Sequence, residues 1–144
     1  RITLDAPAEA LVEMDKSLIK RTVTNVLSNA IDASNTGSEV RIELSALEKT
    51  EPDRDWFRVC IVDHGEGIHP DNMQRIFTPY FTTKNRGDQQ RGFGLGLSIC
   101  RKVVQLHGGS LKITSQPKKG TTVLIDLPDH QMRSPSPAPL EPVS

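Results

Sequence analysis

The sequence predicts a two-layer α/β sandwich: a mixed, mostly antiparallel sheet covered on one face by helices. Three observations carry that expectation. Two segments show helical apolar periodicity, two pairs of segments alternate as strands do, and each helical segment precedes a strand pair. Helices gathered on one face of a largely antiparallel sheet are the economical way to bury both kinds of apolar surface in that order.

The first helix is predicted from Lys16 to Ser34, with Asp15 as its N-cap and Gly37 soon after its end. Stepping about 100° per residue from Ile19, the side chains of Val23, Val26, Leu27 and Ala30 share one stripe. Two antiparallel strands follow, EVRIELSAL with Val40, Ile42 and Leu44 alternating, and WFRVCIVD with Phe57, Val59 and Ile61 alternating. The chain then turns through HGEGIHP into a short helical segment near Asp71 to Ile76, and enters the polar tract TTKNRGDQQRG, expected to be a mobile lid. A second amphipathic helix is predicted from Leu95 to Leu106, closed by Gly108 and Gly109. Strands SLKITSQ and TTVLIDL, joined by the turn PKKG, complete the fold, and no internal repeat is present. The tail DHQMRSPSPAPLEPVS is rich in proline and poor in large apolar residues, so the domain is expected to span 1–128 and the tail, 129–144, to be disordered.

At 144 residues the chain has the length of one domain. Its 18 basic and 18 acidic residues cancel, which removes any global field toward nucleic acid or a membrane surface, so an anionic ligand must be held by local geometry. Cys60 and Cys100 stand in no metal-ligand spacing, and no stretch resembles a signal peptide or a membrane span. A reducing, cytoplasmic setting is expected. Since the chain opens on RITLDAP without an initiator Met, it is expected to be a piece of a longer protein.

Three stretches could carry chemistry. On the first helix Asn25, Asn29 and Asp32 share one arc beside the apolar stripe. They are poor helix formers, so the arc is either a solvated face or a site where a neutral amide oxygen helps hold Mg²⁺ and phosphate. Asp63 closes an apolar strand and precedes Gly65 and Gly67. It is either a turn acceptor or an acceptor for the exocyclic amine of adenine, an arrangement that would reject guanine. The stretch RGFGLGLSIC places Gly92, Gly94 and Gly96 before the second helix. This spacing matches neither common phosphate-loop pattern, but glycines followed by a helix N-terminus suit an anion, and they suit a lid hinge equally well. Lys84, Arg86 and Arg91 are lid cations near that point. Nothing in the spacing of Ser, His and Asp marks a hydrolytic triad. His69, His107 and His130 are expected at the surface, and Trp56 and Phe57 in the core.

Taken in order, NVLSNAIDAS, VDHGEGI, IFTPYFTTK, RGFGLGLSIC and KGTTVLIDLP resemble the ATP-binding catalytic domain of sensor histidine kinases. That family is a branch of the ATPases that include type II topoisomerases, mismatch-repair proteins and a heat-shock chaperone. The resemblance covers roughly Arg1 to Pro128 and implies a Bergerat-type ATP-binding fold. It implies that Asn29 ligates Mg²⁺, and that Asn25 stands one turn earlier, where the hydrolytic cousins keep a water-activating Glu. It further implies that Asp63 reads adenine with Thr121 or Thr122, in a pocket shaped by Gly65 and Gly67 and floored by Ile68. Gly92, Gly94, Leu95 and Gly96 would cradle the phosphates, with Leu97 adjoining, while Phe77 and Phe81 couple the lid to the core, and Leu97 and Ile99 share that packing. Where many members carry a phosphate-touching cation three residues after the metal-binding Asn, this chain has Asp32, which leaves Lys84 or Arg91 to compensate. The implied catalytic positions are then Asn25, Asn29 and Lys84.

The activity implied is transfer of the γ-phosphoryl of Mg·ATP to a His on a separate helical dimerisation domain. A response regulator would be served downstream, and the parent would be a homodimer while this domain alone is a monomer. The resemblance is compatible with a parent anchored in the inner membrane, and this domain is expected to touch neither membrane nor nucleic acid. The alternatives are a nucleotide-dependent interaction module and a hydrolase of the topoisomerase or chaperone type.

Overall fold

The computed structural model describes residues 1–6, 14–47, 54–78 and 96–129. The first helix, α1 (Lys16–Ala33), starts where the sequence places it, because the Asp15 side chain accepts from the Leu18 amide at 3.0 Å. Thr22, Val26 and Ala30 form its buried line, with Ile19, Val23 and Leu27 packed beside them. Thr22 is polar yet 2 % exposed, and its hydroxyl is satisfied by the Leu18 carbonyl at 2.9 Å. After the short helix α2 (Pro70–Met73), the second long helix, α3 (Gly96–Leu106), buries Cys100, Val103 and Val104. It stops as predicted: Gly108 takes a φ of +77°, and the Gly109 amide reaches back to the Val104 carbonyl at 2.9 Å.

The sheet contains β1 (Ile2–Asp5), β2 (Val40–Leu47), β3 (Trp56–Asp63), β4 (Ser110–Gln116) and β5 (Gly120–Pro128), in the order β1-β2-β3-β5-β4. The predicted hairpins β2–β3 and β4–β5 are both antiparallel, and β5 inserts beside β3. β1 is an addition to the predicted set and pairs parallel to β2. Alternation then sorts the side chains. Val40, Ile42, Val59, Ile61, Leu111, Ile113, Val123, Ile125 and Leu127 face α1 and α3 and build the core with Val26, Ala30, Cys100 and Val104. Each such side chain fully withdrawn from water contributes about 1.5–3 kcal/mol.

The opposite face carries Arg58, whose guanidinium forks onto Asp126 at 2.7 and 2.9 Å across the β3–β5 pair. Trp56 is buried on that same face beside Pro128, its register partner. Two expectations change here. His107 is 8 % exposed rather than superficial: its Nδ1 lies 2.8 Å from the Val103 carbonyl, and its Nε2 accepts from the Asp15 amide at 3.3 Å. The end of α3 is thus tied to the start of α1 by a contact 92 residues apart. Asp129, assigned above to the tail, is also buried, and its amide extends the β3–β5 pairing to the Asp55 carbonyl at 2.8 Å. The remaining tail lies outside the described residues. Trp56 is buried as expected, but on the face away from the helices and outside the main core, whereas Phe57 is half-buried.

Candidate nucleotide site

Asp63 ends β3 on the helix-covered face, 5 % exposed. Its Oδ1 accepts from the Gly65 amide at 2.9 Å, so the turn-acceptor reading is correct as geometry, and a carboxylate with several lone pairs has capacity for further donors. Burial raises the carboxyl above its ordinary value, and the backbone amides of Gly65 and Thr121 partly offset that effect.

The turn after Asp63 is fixed by backbone packed against backbone. A Cβ on Gly65 would stand 2.1 Å from the Ala33 carbonyl oxygen at the end of α1, and the Glu66 amide bonds that same oxygen at 3.2 Å. Gly67 takes a φ of +71°, and a Cβ there would meet the Gln116 carbonyl at 2.0 Å. The Lys118 amide in turn donates to the Glu66 carbonyl at 2.7 Å, which docks the β4–β5 turn onto this loop. Three elements therefore converge on the loop: the last turn of α1, the end of β3 and the β4–β5 hairpin. Ile68 is held there by its amide, which donates to Ser115 Oγ at 2.8 Å.

Thr121 lies directly opposite Asp63 and on the same face, since the two are register partners. Thr122 pairs with Val62 and by alternation belongs to the other face. Of the two threonines named from the sequence, the geometry brings Thr121 to Asp63.

Asn25, Asn29 and Ala33 stand at i, i+4 and i+8 on α1 and so form one line along the helix. At one end the Ala33 carbonyl meets the Gly65 turn. At the other end the Asn25 side chain hydrogen-bonds the Cys100 thiol on α3, which also donates to the Thr22 carbonyl at 3.6 Å. Burial pushes that thiol up to about 11, with Asn25 pulling the other way. Asn29, half-buried, lies between these contacts, one turn from each. Gly96 opens α3 one turn before Cys100, and a Cβ on it would meet nothing within 4 Å among the described residues. Leu97 beside it is half-buried, whereas Ile99, expected to pack, is 38 % exposed. Phe77 packs against the core, with the Arg101 guanidinium carbon 4.6 Å from its ring centroid.

The structure thus brings Asn25, Asn29, Asp63, Gly65, Gly67, Ile68, Thr121, Gly96 and Leu97 along one path from the β4–β5 hairpin to the start of α3. Lys84, Arg91, Gly92, Gly94 and Leu95, with Phe81, lie outside the described residues. Ser115, Gly120 and the Ala33 carbonyl were not singled out from the sequence. For Ser115 the available signal was a polar residue on the inward phase of Leu111 and Ile113. For Gly120, whose φ is +105° and whose Cβ would strike the Asp63 carbonyl at 2.0 Å, it was a glycine opening a strand.

Among the described residues no cluster of His, Cys, Asp and Glu is suited to a metal ion. The donor set present, a helix-borne amide at Asn29, fits a Mg²⁺ that takes most of its ligands from phosphate and water. Nor is any helix among the described residues long and apolar enough to cross a membrane.

The profile of the histidine kinase-, DNA gyrase B-, and HSP90-like ATPases matches residues 14–131. The adaptive-response sensory kinase SasA of Prochlorococcus marinus is 34% identical over 140 residues, covering 96% of this chain and 35% of its own length. Sporulation kinase D of Bacillus subtilis is 36% identical over 118 residues, 82% of this chain and 21% of that protein. The chain therefore spans about a third or less of these relatives. Among solved structures, the catalytic domain of the histidine kinase ThkA superimposes with a TM-score of 0.71 at 30% identity, covering 89% of this chain and 78% of that one. The mycobacterial sensor histidine kinase MprB gives 0.69 at 32% identity, with 89% and 82% covered. The chain belongs to the histidine kinase-, DNA gyrase B-, and HSP90-like ATPase family, as the ATP-binding catalytic domain of its sensor histidine kinase branch.

Proposed function

We propose that this domain holds Mg·ATP and presents its γ-phosphoryl group to a histidine on a separate helical dimerisation domain of the same parent protein. The observation that carries the reading is Asp63: a buried carboxylate fixed by the Gly65 amide at the end of β3, an acceptor group suited to the exocyclic amine of adenine. Gly65, Gly67, Ile68 and Thr121 surround the base. Asn25, Asn29, Gly96 and Leu97 run toward the phosphates, and the family resemblance assigns Lys84, Arg91, Gly92, Gly94 and Leu95, outside the described residues, to the same role. Mg²⁺, held by Asn29 and the phosphates, supplies charge neutralisation at the transferring group.

Transfer is a displacement at phosphorus. An imidazole nitrogen of the acceptor forms the N–P bond while the bond from the γ-phosphorus to its bridging oxygen breaks, ADP leaves with the electron pair, and the imidazole proton passes to solvent. The protein contributes alignment and electrostatic stabilisation more than covalent chemistry. Asn25 in place of a Glu suits an imidazole acceptor, which needs little help to lose its proton, and disfavours attack by water. The isolated chain is expected to hydrolyse ATP slowly, and robust turnover would contradict the assignment. The parent acts as a homodimer in the cytoplasm, and the phosphoryl group passes on to a response regulator.

Calorimetric titration of the chain with ATP and with GTP, each with Mg²⁺, tests the base assignment. ATP is expected to bind and GTP to fail, and equal affinities would remove Asp63 from its role. Phosphotransfer in trans to a helical histidine-bearing domain tests the chemistry. Nucleotide binding without transfer would leave an interaction module instead.

A further inference from the structure

Asp63, Thr121 and Ser115 form one row across β3, β5 and β4, register partners in sequence and all on the helix-covered face. Ser115 is the junction of this row. Its Oγ accepts the Ile68 amide at 2.8 Å, lies 2.9 Å from the Gly120 carbonyl, and lies 2.8 Å from Thr121 Oγ1. A serine hydroxyl has one hydrogen and two acceptor lone pairs. A carbonyl can only accept, so the single Ser115 hydrogen goes to Gly120. The contact with Thr121 can then be made only by the Thr121 hydrogen, donated to Ser115. With that assignment all the bonding capacity of Ser115 is used, and the row runs from Thr121 to Ser115 to Gly120.

We propose that Ser115 is a specificity-determining positioning residue: by taking the Thr121 hydrogen, it leaves Thr121 to meet the nucleotide base as an acceptor only, beside the acceptor Asp63. The inference rests on the reading of Asp63 as the base-binding carboxylate. A free threonine hydroxyl rotates to donate or to accept as its neighbour requires, and so discriminates poorly between an amine and a carbonyl. A threonine whose hydrogen is committed elsewhere favours a donor, such as the adenine amine or a water that itself donates, and disfavours a carbonyl oxygen, which would leave two acceptors opposed. The same serine holds the Ile68 amide, so base floor and hydroxyl polarity are set by one side chain.

The test compares ATP with inosine triphosphate, which exchanges the exocyclic amine for a carbonyl oxygen at the same place. Dissociation constants of the chain and its variants are measured by calorimetry with Mg²⁺ present. The unaltered chain is expected to prefer ATP strongly. In Ser115→Ala the freed Thr121 hydroxyl can donate, and the preference should shrink about tenfold, mostly by improved inosine triphosphate binding, while Ser115→Thr restores it. A merely structural serine would weaken both nucleotides by the same factor, and an unchanged ratio in Ser115→Ala would overturn the proposal. Should that variant fail to fold, Thr121→Val carries the test. It removes the acceptor and should weaken ATP about tenfold without improving inosine triphosphate, whereas unaltered ATP affinity would overturn the proposal. Failure of the underlying reading is distinguishable, because the unaltered chain would then bind both nucleotides equally.

Discussion

The two ends of the candidate site use glycine for opposite reasons. At the Asp63 end a Cβ on Gly65, Gly67 or Gly120 would stand 2.0–2.1 Å from a backbone carbonyl oxygen, so the main chains of α1, β3 and the β4–β5 hairpin touch where a side chain would otherwise lie. At the α3 end a Cβ on Gly96 would meet nothing within 4 Å among the described residues. Glycine is required by the fold in the first case and left free by it in the second. The Asp63 end is therefore built before any ligand arrives, whereas no packing among the described residues demands Gly96, as expected of a position that a ligand approaches closely.

The sharpest way to break this contrast is Gly120→Ala. The residue combines a φ of +105° with a Cβ position 2.0 Å from the Asp63 carbonyl and 2.8 Å from His64 Cα, and none of those atoms is the end of a flexible side chain. Destabilisation of about 3 kcal/mol or more is expected, read as a drop of about 10 °C or more in a thermal melt. Nucleotide binding should fall with it, since the displaced strand carries Thr121. A variant with unchanged melting would mean that the Asp63 end is pliable, and the contrast with Gly96 would fail.

How much of this was legible in the sequence follows the same division between local and remote causes. The start of α1 was, because Asp15 caps it within one turn, and so were the two hairpins, whose alternation is a property of each segment alone. β1 was not: Ile2 and Leu4 are 55% and 69% exposed on an edge strand, so its short alternation marks no buried face, and its partner starts at Val40. His107 was misread because nothing near it in sequence announces that the end of α3 reaches the start of α1. The site shows the same pattern. Asp63 and its glycines stand in one run of the chain, whereas Ser115 acquires its place only when β4, β5 and the loop at Ile68 are brought together.

Asp63→Asn separates binding from folding at the first end. The amide oxygen can still accept from Gly65, which keeps the turn, but the new NH₂ group would face the adenine amine donor to donor. ATP affinity should fall about 100-fold or more, roughly 2.7 kcal/mol, with the circular dichroism spectrum retained. The pH dependence has a definite sign. The folded-state value of Asp63 is raised above its ordinary 3.8, so the unfolded chain ionises first and the wild type loses stability as pH rises from 3.8 through the folded value. The variant cannot ionise there. Its stability relative to wild type should therefore move in its favour across that window and stay flat below it. Parallel denaturant titrations give the comparison, and parallel curves would mean that Asp63 is not desolvated.

Gly96→Ala is the mildest change and tests the other end. The position opens α3, has no positive φ, and among the described residues offers open space to the added methyl. Replacing glycine by alanine where the backbone permits it reduces the freedom of the unfolded chain, so stability should hold or rise by about 0.5 kcal/mol. The methyl occupies the space through which a phosphate would reach the first amides of the helix, so ATP affinity should drop several-fold while a nucleoside without phosphates is unaffected. The opposite signs of the two readouts are the point of the experiment, because a fold-determined glycine lowers both and an irrelevant one lowers neither. If Gly96→Ala gains stability and binds ATP as the wild type does, the phosphates lie elsewhere, and Gly96 has no part in holding them.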